Sequence, residues 1–494
     1  MTTLLIRGGS LYPADPAHRV IPGGAVLVDG DRIAAVGTTA EVEAAIRPEQ
    51  RAELAVLDAR GAMILPGFVN PHWHEMFAMR FPFKGALRTP GDRDDRPAFM
   101  AAGGDIPAIS SAFDDFAGMI ADLTPDEARA IARYSMWTQL RSGVTTLGDV
   151  GSFNHPAALA DAARFLGLRC SLSTWASDAR CAPGESRFRR TRDADTVLAG
   201  VEEVIRDVAG DTTGLLRARP TAVYSVNMTD ELGTGFADLI RRYDLPFATH
   251  VGALRNEVEV SRTYFGATPV RRFADLGLLS PRFMAVHCAF ADDDERKLLV
   301  DANAHVSYSP AKYGPAGEAT VTETRAMPYF RRAGLDVSLS TDGAPLPVGG
   351  MAENMRAVWQ QLNEMSADPT EVRPTDALAM ATRLPARGLD WAGIGSLEPG
   401  HQADIVLIRT DDWRYLLNPR PLESFLALGG SRDVDTVLVA GRVRVRGGRP
   451  VGFDDDELRA RYLDALASFS VRRLGVDPEV VAGHIHTATS PGGD

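Results

Sequence analysis

Pro66-Gly67-Phe68-Val69-Asn70-Pro71-His72-Trp73-His74 is the stretch that decides the reading of this chain. An apolar run, Ala62 to Leu65, leads into it and has the composition of a buried strand. Two histidines one residue apart then stand where that strand ends. Residues i and i+2 of a strand point to the same side. Both imidazoles can therefore aim at one cation. Imidazole is a good ligand for zinc, iron, cobalt and nickel ions.

Outward from this stretch, both ends of the chain read as β. Leu4 to Gly9, Ala25 to Gly30 and Ile33 to Gly37 are short β-prone runs broken by Gly or Asp-Gly. Ala403 to Ile408 and Val434 to Val445 repeat the style. One small sheet built from both ends, with the middle inserted between them, follows. The middle alternates strands with helices. Thr124-Pro125-Asp126-Glu127 is a capping box with Pro in the first turn, and its helix runs to about Arg141. Val144 to Asp149, Thr221 to Val226, Phe247 to Val251, Phe283 to Cys288, His305 to Ser309 and Val337 to Thr341 are strand candidates, separated by helical segments such as Asp292 to Ala302. Repeated βα units predict an α/β fold, a (β/α)8 TIM-like barrel with a small β-sandwich domain. The expected division is 1–62 and 396–452 for the β-domain, 63–395 for the barrel, and 453–494 for a C-terminal helix and flexible tail. Residues 81–115 read as an irregular loop.

Polar residues at the C-terminal ends of barrel strands are the functional candidates. His250, His287 and Asp342 each end a short β-prone run. At one rim, His72, His74, His250 and Asp342 can hold one metal and leave a position for water. Such a metal makes hydroxide available near neutral pH. Asp342 can take the proton, and His287 can hydrogen-bond the hydroxide or polarise the electrophile. Tyr224, Asn227, Lys312 and Tyr313 are candidate substrate contacts. Asp149 reads equally as a structural acceptor or a substrate contact. Glu75 points away from the histidine pair on a continuing strand. His305 reads as a satisfied core histidine, His155 as loop, and His484 and His486 as a decoy pair in a polar tail.

These residues as a set resemble the amidohydrolase superfamily, in the branch of chlorohydrolases and aminohydrolases acting on triazines and purine-like rings. Val144-Thr145-Thr146, Ser340-Thr341-Asp342-Gly343 and Gly395 to Val406 add to the likeness, which covers nearly the whole chain. The resemblance implies that His72, His74, His250 and Asp342 are metal ligands and that His287 is catalytic. Dinuclear members bridge two ions with a carboxylated lysine before the third histidine. Here no lysine lies between Lys84 and Lys297, which favours one metal ion. Ring deaminases of the branch carry His-x-x-Glu, whose glutamate shuttles a proton to the ring; here the segment is His250-Val251-Gly252-Ala253. Glu257 lies one turn further on and is a poor substitute. Lys312-Tyr313-Gly314, Pro347 to Met351 and Asp412 to Tyr415 look similar to bacterial molinate and phenylurea hydrolases.

The 494 residues are 45% apolar with a net charge of -12, which excludes a general nucleic-acid binder. Three cysteines make no disulfide framework. Neither a signal peptide nor a membrane span is evident, so a cytoplasmic enzyme with a small-molecule substrate and no membrane or nucleic-acid partner is expected. The resemblance also implies a homodimer. The expected cofactor is one divalent metal ion, zinc first, with iron or cobalt as alternatives. The expected activity is hydrolysis of a non-peptide C–N bond, amide-, carbamate- or urea-like, because Ala253 removes the ring shuttle. The alternatives are an aminohydrolase of an N-heterocycle such as a purine, pyrimidine or triazine, and a catalytically silent scaffold.

Overall fold

Both chain ends enter one nine-stranded sheet. Its spatial order is 449–450, 442–446, 434–439, 405–409, 62–66, 3–11, 21–29 and 32–38, with 54–58 pairing parallel to 3–11. The computed structural model describes residues 3–51, 53–75, 105–316, 321–343, 350–416 and 418–489. Strand Ala62–Pro66 lies in the middle of this sheet, parallel to 3–11 and antiparallel to Ile405–Arg409. The apolar run taken from the sequence as the base of the histidine strand therefore belongs to the end sheet. Gly67 makes the break between the two. A Cβ there would lie 2.1 Å from Thr145 Oγ1, so no larger residue fits the crossing. The sheet folds over its own core. Val26, Val28 and Ile33 from one end share a cluster with Ile405, Leu407 and Leu438 from the other. The strands of both chain ends thus share one hydrogen-bonded sheet.

Nine short parallel strands make the centre. They are β1 (Phe68–Trp73), β2 (Val144–Asp149), β3 (Arg169–Leu172), β4 (Leu216–Ala218), β5 (Thr221–Tyr224), β6 (Phe247–Val251), β7 (Phe283–His287), β8 (His305–Tyr308) and β9 (Val337–Leu339). β1 to β4 form one parallel sheet in chain order, and β5 to β9 form a second. Isolated parallel bridges join the margins of the two sheets, Trp73 with Asp342 on one side and Ala176 with Ala222 on the other. All of these strands except β4 are buried along their full length, as parallel strands covered on both faces must be.

Helices between the strands start on capping residues, one of them read from the sequence. Pro125–Arg141 carries the Thr124/Glu127 capping box, and Asp293–Asp301 carries one from Asp292 and Glu295. Two expectations change. Residues 81–104 of the expected loop lie outside the described residues, but Ile106–Ile120 is a helix capped by Asp105, with an apolar face buried. At the C-terminus, helix Asp455–Leu474 is followed by a second helix, Pro478–Thr489, where a flexible tail was expected. Among the described residues no helix is long and apolar enough to cross a membrane.

One buried ion pair ties the end sheet to the centre. Arg169 opens β3, and its Nε donates to Asp404 Oδ2 at 2.8 Å. The other guanidinium nitrogens reach Gln402 Oε1 at 2.7 Å and Gly214 O at 3.1 Å. Asp404 Oδ1 also accepts from Ala440 N at 2.8 Å. Both side chains are at most 4% exposed. Removing one partner leaves the other charge buried and uncompensated. We expect Asp404→Ala to lower stability by about 3–5 kcal/mol in denaturant titration, and the double variant Arg169→Met/Asp404→Leu to recover most of that loss.

Candidate metal centre

Two strands deliver three imidazoles to one point. His72 lies near the end of β1, His74 one residue beyond it, and His250 near the end of β6. Their Nε2 atoms form a triangle with every side 3.0 Å. Asp342, three residues past β9, brings Oδ1 to 3.3 Å from His74 Nε2. His287, the last residue of β7, has Nε2 3.7 Å from Asp342 Oδ2. All five side chains are buried.

Backbone contacts set this geometry. Asp342 N donates to His72 O at 3.1 Å, which is the bridge between β1 and the segment after β9. Asn70 fastens the same two segments: Nδ2 donates to Thr341 Oγ1 at 2.7 Å and Oδ1 accepts from Thr341 N at 3.1 Å. Gly148 in β2 lets the Pro71 carbonyl come close, since a Cβ there would sit 2.2 Å from Pro71 O. That carbonyl also accepts from the buried Arg219 at 2.8 Å. His287, Cys288 and Asp342 have φ of +79°, +52° and +55°, a left-handed backbone that non-glycine residues rarely adopt. The chain turns sharply just where the side chains of His287 and Asp342 must point inward.

The donor set fits a divalent cation. Burial holds the imidazoles neutral: His74 is pushed down to about 3 and His250 to about 4, and His72 and His287 also lie well below the ordinary value. The Nδ1 of His250 meets Val223 O, which keeps its proton there and leaves the Nε2 lone pair facing the centre. Zinc–imidazole bonds of roughly 2.0–2.1 Å reach all three nitrogens from one point. Burial alone would raise the Asp342 carboxyl, but Lys312 and the imidazoles of His72, His74 and His287 together hold it well below the carboxylate range. The set of ligand atoms is thus three neutral nitrogens and an anion.

Of the candidate substrate contacts, three touch this cluster and one does not. Lys312 Nζ lies 2.7 Å from Asp342 Oδ2. Tyr313 Oη accepts from Ser309 N at 3.3 Å and lies 2.8 Å from His287 Nδ1. Tyr224 stacks on His250, with ring centroids 4.8 Å apart. Asn227 instead donates to Ser110 O, Ser110 Oγ and Ala179 O, and so ties the Ile106–Ile120 helix to the end of β5. Asp149 is an internal acceptor for Gly151 N and Ser173 N. His305 is buried and bonded to Ser338 Oγ at 2.9 Å, and His155 meets Ile120 O at 3.0 Å. His486 lies on the last helix. Asn70 and Arg219 escaped sequence reading; a polar residue inside an apolar strand was the available signal for Asn70.

The family model of the amidohydrolase family matches residues 63–444, more than half of the chain. The chain belongs to the amidohydrolase family. A short model, the imidazolonepropionase-like composite domain of bacteria, matches residues 24–45. The 5'-deoxyadenosine deaminase of Methanothermobacter thermautotrophicus is 27% identical over 486 residues, covering 96% of this chain and 99% of its own. An adenosine deaminase from Xanthomonas campestris, solved with bound zinc, superposes with a TM-score of 0.78 at 22% identity, over 96% of this chain and 99% of its own. A mutant of the atrazine chlorohydrolase of Arthrobacter aurescens, complexed with zinc and atraton, gives 0.76 at 24% identity, over 94% of this chain and 100% of its own. At that identity the two structures speak for the fold. Amidohydrolases of this kind combine a TIM barrel with a separate domain, and the present chain has the mixed α/β architecture with parallel sheets. Zinc is present in both solved neighbours, and this amidohydrolase has a histidine and aspartate cluster able to hold a metal ion.

Glu257 opens the helix Glu257–Phe265. It is fully buried, and its Oε2 accepts from Ala253 N at 3.0 Å, so it caps the loop after β6. Burial pushes its carboxyl up to about 8 and that of Asp149 up to about 7. The unfolded chain ionises both near their ordinary values, so between about pH 4 and pH 8 the unfolded state binds fewer protons. Stability should fall as pH rises through that window and level off above it. Glu257→Gln removes its share, and its thermal midpoint at pH 8 should exceed that of the unsubstituted chain by roughly 2–4 °C, with no such gain at pH 4.5.

Proposed function

We propose that this amidohydrolase cleaves a non-peptide C–N bond of a small molecule, with His72, His74, His250 and Asp342 as ligands of one divalent metal ion. The carrying observation is the 3.0 Å triangle of Nε2 atoms with Asp342 beside it. When bound, the ion supplies Lewis acidity and a nucleophilic oxygen near neutral pH. Asp342 takes the proton released by the attacking water at its carboxylate and delivers it to the departing nitrogen as the C–N bond breaks. Lys312 holds Oδ2 of that carboxylate, and Tyr313 fixes the ring of His287. His287 Nε2 then faces the reacting carbonyl or carboximidoyl group.

The favoured substrate bond is amide-, carbamate- or urea-like. Ala253 offers no proton at the position of the ring shuttle, and Glu257 is engaged with its own loop. A leaving amine can collect its proton directly from Asp342, whereas an aromatic ring nitrogen cannot. Deamination of an N-heterocycle is the second reading, favoured by the adenosine-derivative deaminases among the full-length relatives. We further propose that β1 to β9, with β4 and β5 counted as one interrupted strand, make one closed (β/α)8-type barrel, divided from the end sheet at Gly67 and near Gly395. The bridges at Trp73–Asp342 and Ala176–Ala222 support closure. A cytoplasmic enzyme accords with three unpaired cysteines.

Elemental analysis of the zinc-loaded chain should give one ion per chain, and His74→Ala should lose most of it. Asp342→Asn should lower turnover by about 10²–10⁴-fold. Release of an amine from aryl ureas and carbamates, with no ammonia from adenosine or aminotriazines, supports the first reading; ammonia from the rings supports the second. A chain that holds no metal after loading overturns both.

A further inference from the structure

The ends of β3 and β5 carry an aromatic wall that the hydrolytic steps above do not use. Tyr224, the last residue of β5, lies nearly parallel to the His250 ring, 20° between planes. Phe113, from the Ile106–Ile120 helix, stacks on Tyr224 with centroids 5.9 Å apart and 22° between planes. Trp175, three residues beyond β3, meets Phe113 edge-on at 5.5 Å and 67°, and Phe116 lies 6.4 Å from it. The row of rings therefore runs from the metal centre along the rim.

The wall is held in place. Val223 N donates to Ala176 O at 3.4 Å, which sets Trp175 beside β5. Ile106 N donates to Asn256 Oδ1 at 3.1 Å, and Asn256 Nδ2 donates to Asp105 Oδ1 at 2.7 Å, which pins the start of the helix. Cys181 N donates to Ser110 Oγ at 3.0 Å, and Asn227 bonds the same serine. A surface fixed before the ligand arrives loses little freedom on binding.

One donor in this wall has no acceptor. Trp175 is 6% exposed, and its Nε1–H has no hydrogen-bond partner among the described residues. Buried indole N–H groups usually find one. A ligand lying along the wall can supply it.

We propose that Tyr224, Phe113 and Trp175 form the specificity wall for the part of the substrate beyond the scissile bond, with Trp175 Nε1–H donating to an acceptor on that part. The substrate class is a planar aromatic or heteroaromatic compound that carries a carbonyl oxygen or ring nitrogen away from the reacting carbon. Charged or sugar-like groups in that place would be stripped of water against apolar rings without compensation. The assignment of the wall to substrate rests on the hydrolase reading; binding to it can be measured apart from hydrolysis.

The test uses the full zinc-loaded chain and two probes of one shape, acetophenone and α-methylstyrene, which differ in a carbonyl oxygen against a methylene. Trp175→Phe keeps a ring and removes the donor. Calorimetric titration should show acetophenone about three- to tenfold weaker in Trp175→Phe, with α-methylstyrene unchanged within twofold. Phe113→Leu removes the stacking ring, keeps the donor, and should weaken both probes together. In the unsubstituted chain, one indole N–H resonance should shift with acetophenone and stay put with α-methylstyrene, a measurement that holds even if Trp175→Phe does not fold. Equal losses for both probes in a folded Trp175→Phe, no shifted indole resonance, or no binding of either probe overturns the proposal. A chain that discriminates the probes yet retains no zinc keeps the wall and loses the proposed hydrolase.

Discussion

Three imidazole Nε2 atoms buried 3.0 Å from one another are the constraint around which this protein is arranged. Neutral rings in that geometry repel and gain nothing from solvent. The surrounding structure has to impose it. The means are short-range and backbone-rich: the His72 carbonyl bonded to Asp342 N, the two-way bond between Asn70 and Thr341, and the close passage of Pro71 over Gly148. The first two join β1 to the segment after β9, and the third joins β1 to β2. A rigid scaffold underneath such a centre is what keeps its ligands within the tolerance that metal binding demands.

Electrostatics follows from the same enclosure. Without water, each group's charge state is set by its neighbours. The imidazoles stay neutral, Asp342 stays ionised beside Lys312, and Glu257 and Asp149 keep their protons well into the neutral range. The anion at the centre is therefore concentrated on one carboxylate.

Much of this was legible in the linear chain, and what was missed has physical causes. His72 and His74 announce themselves because a two-residue spacing on a strand has one geometric meaning. His250, His287 and Asp342 were found because each closes a β-prone run, and the runs at 247–251, 283–287 and 144–149 are strands in the structure. Ala62–Leu65 was assigned to the wrong sheet, since an apolar run carries no mark of its partner strands. Ile106–Ile120 was hidden by an early proline and by small residues that propensity reads as loop. Pro478–Thr489 was hidden by its isolation at a polar chain end, where packing rather than composition decides. Asn227 was drawn toward the site by its position at a strand end, yet its amide is spent on a helix. Trp175 could not be found from sequence at all. Its interest lies in an absent partner, and absence is a property of three-dimensional packing.

The left-handed backbone at His287, Cys288 and Asp342 has a consequence for how this protein can change. Strained residues of this kind are a standing cost to folding that persists because the surrounding structure over-determines them. Selection or engineering for heat tolerance would find glycine at these positions an easy gain, and would erase two of the side chains that make the centre worth having. Cys288 alone of the three can be relaxed without removing a group from the cavity, so drift toward robustness in this lineage has one open door beside two that are closed.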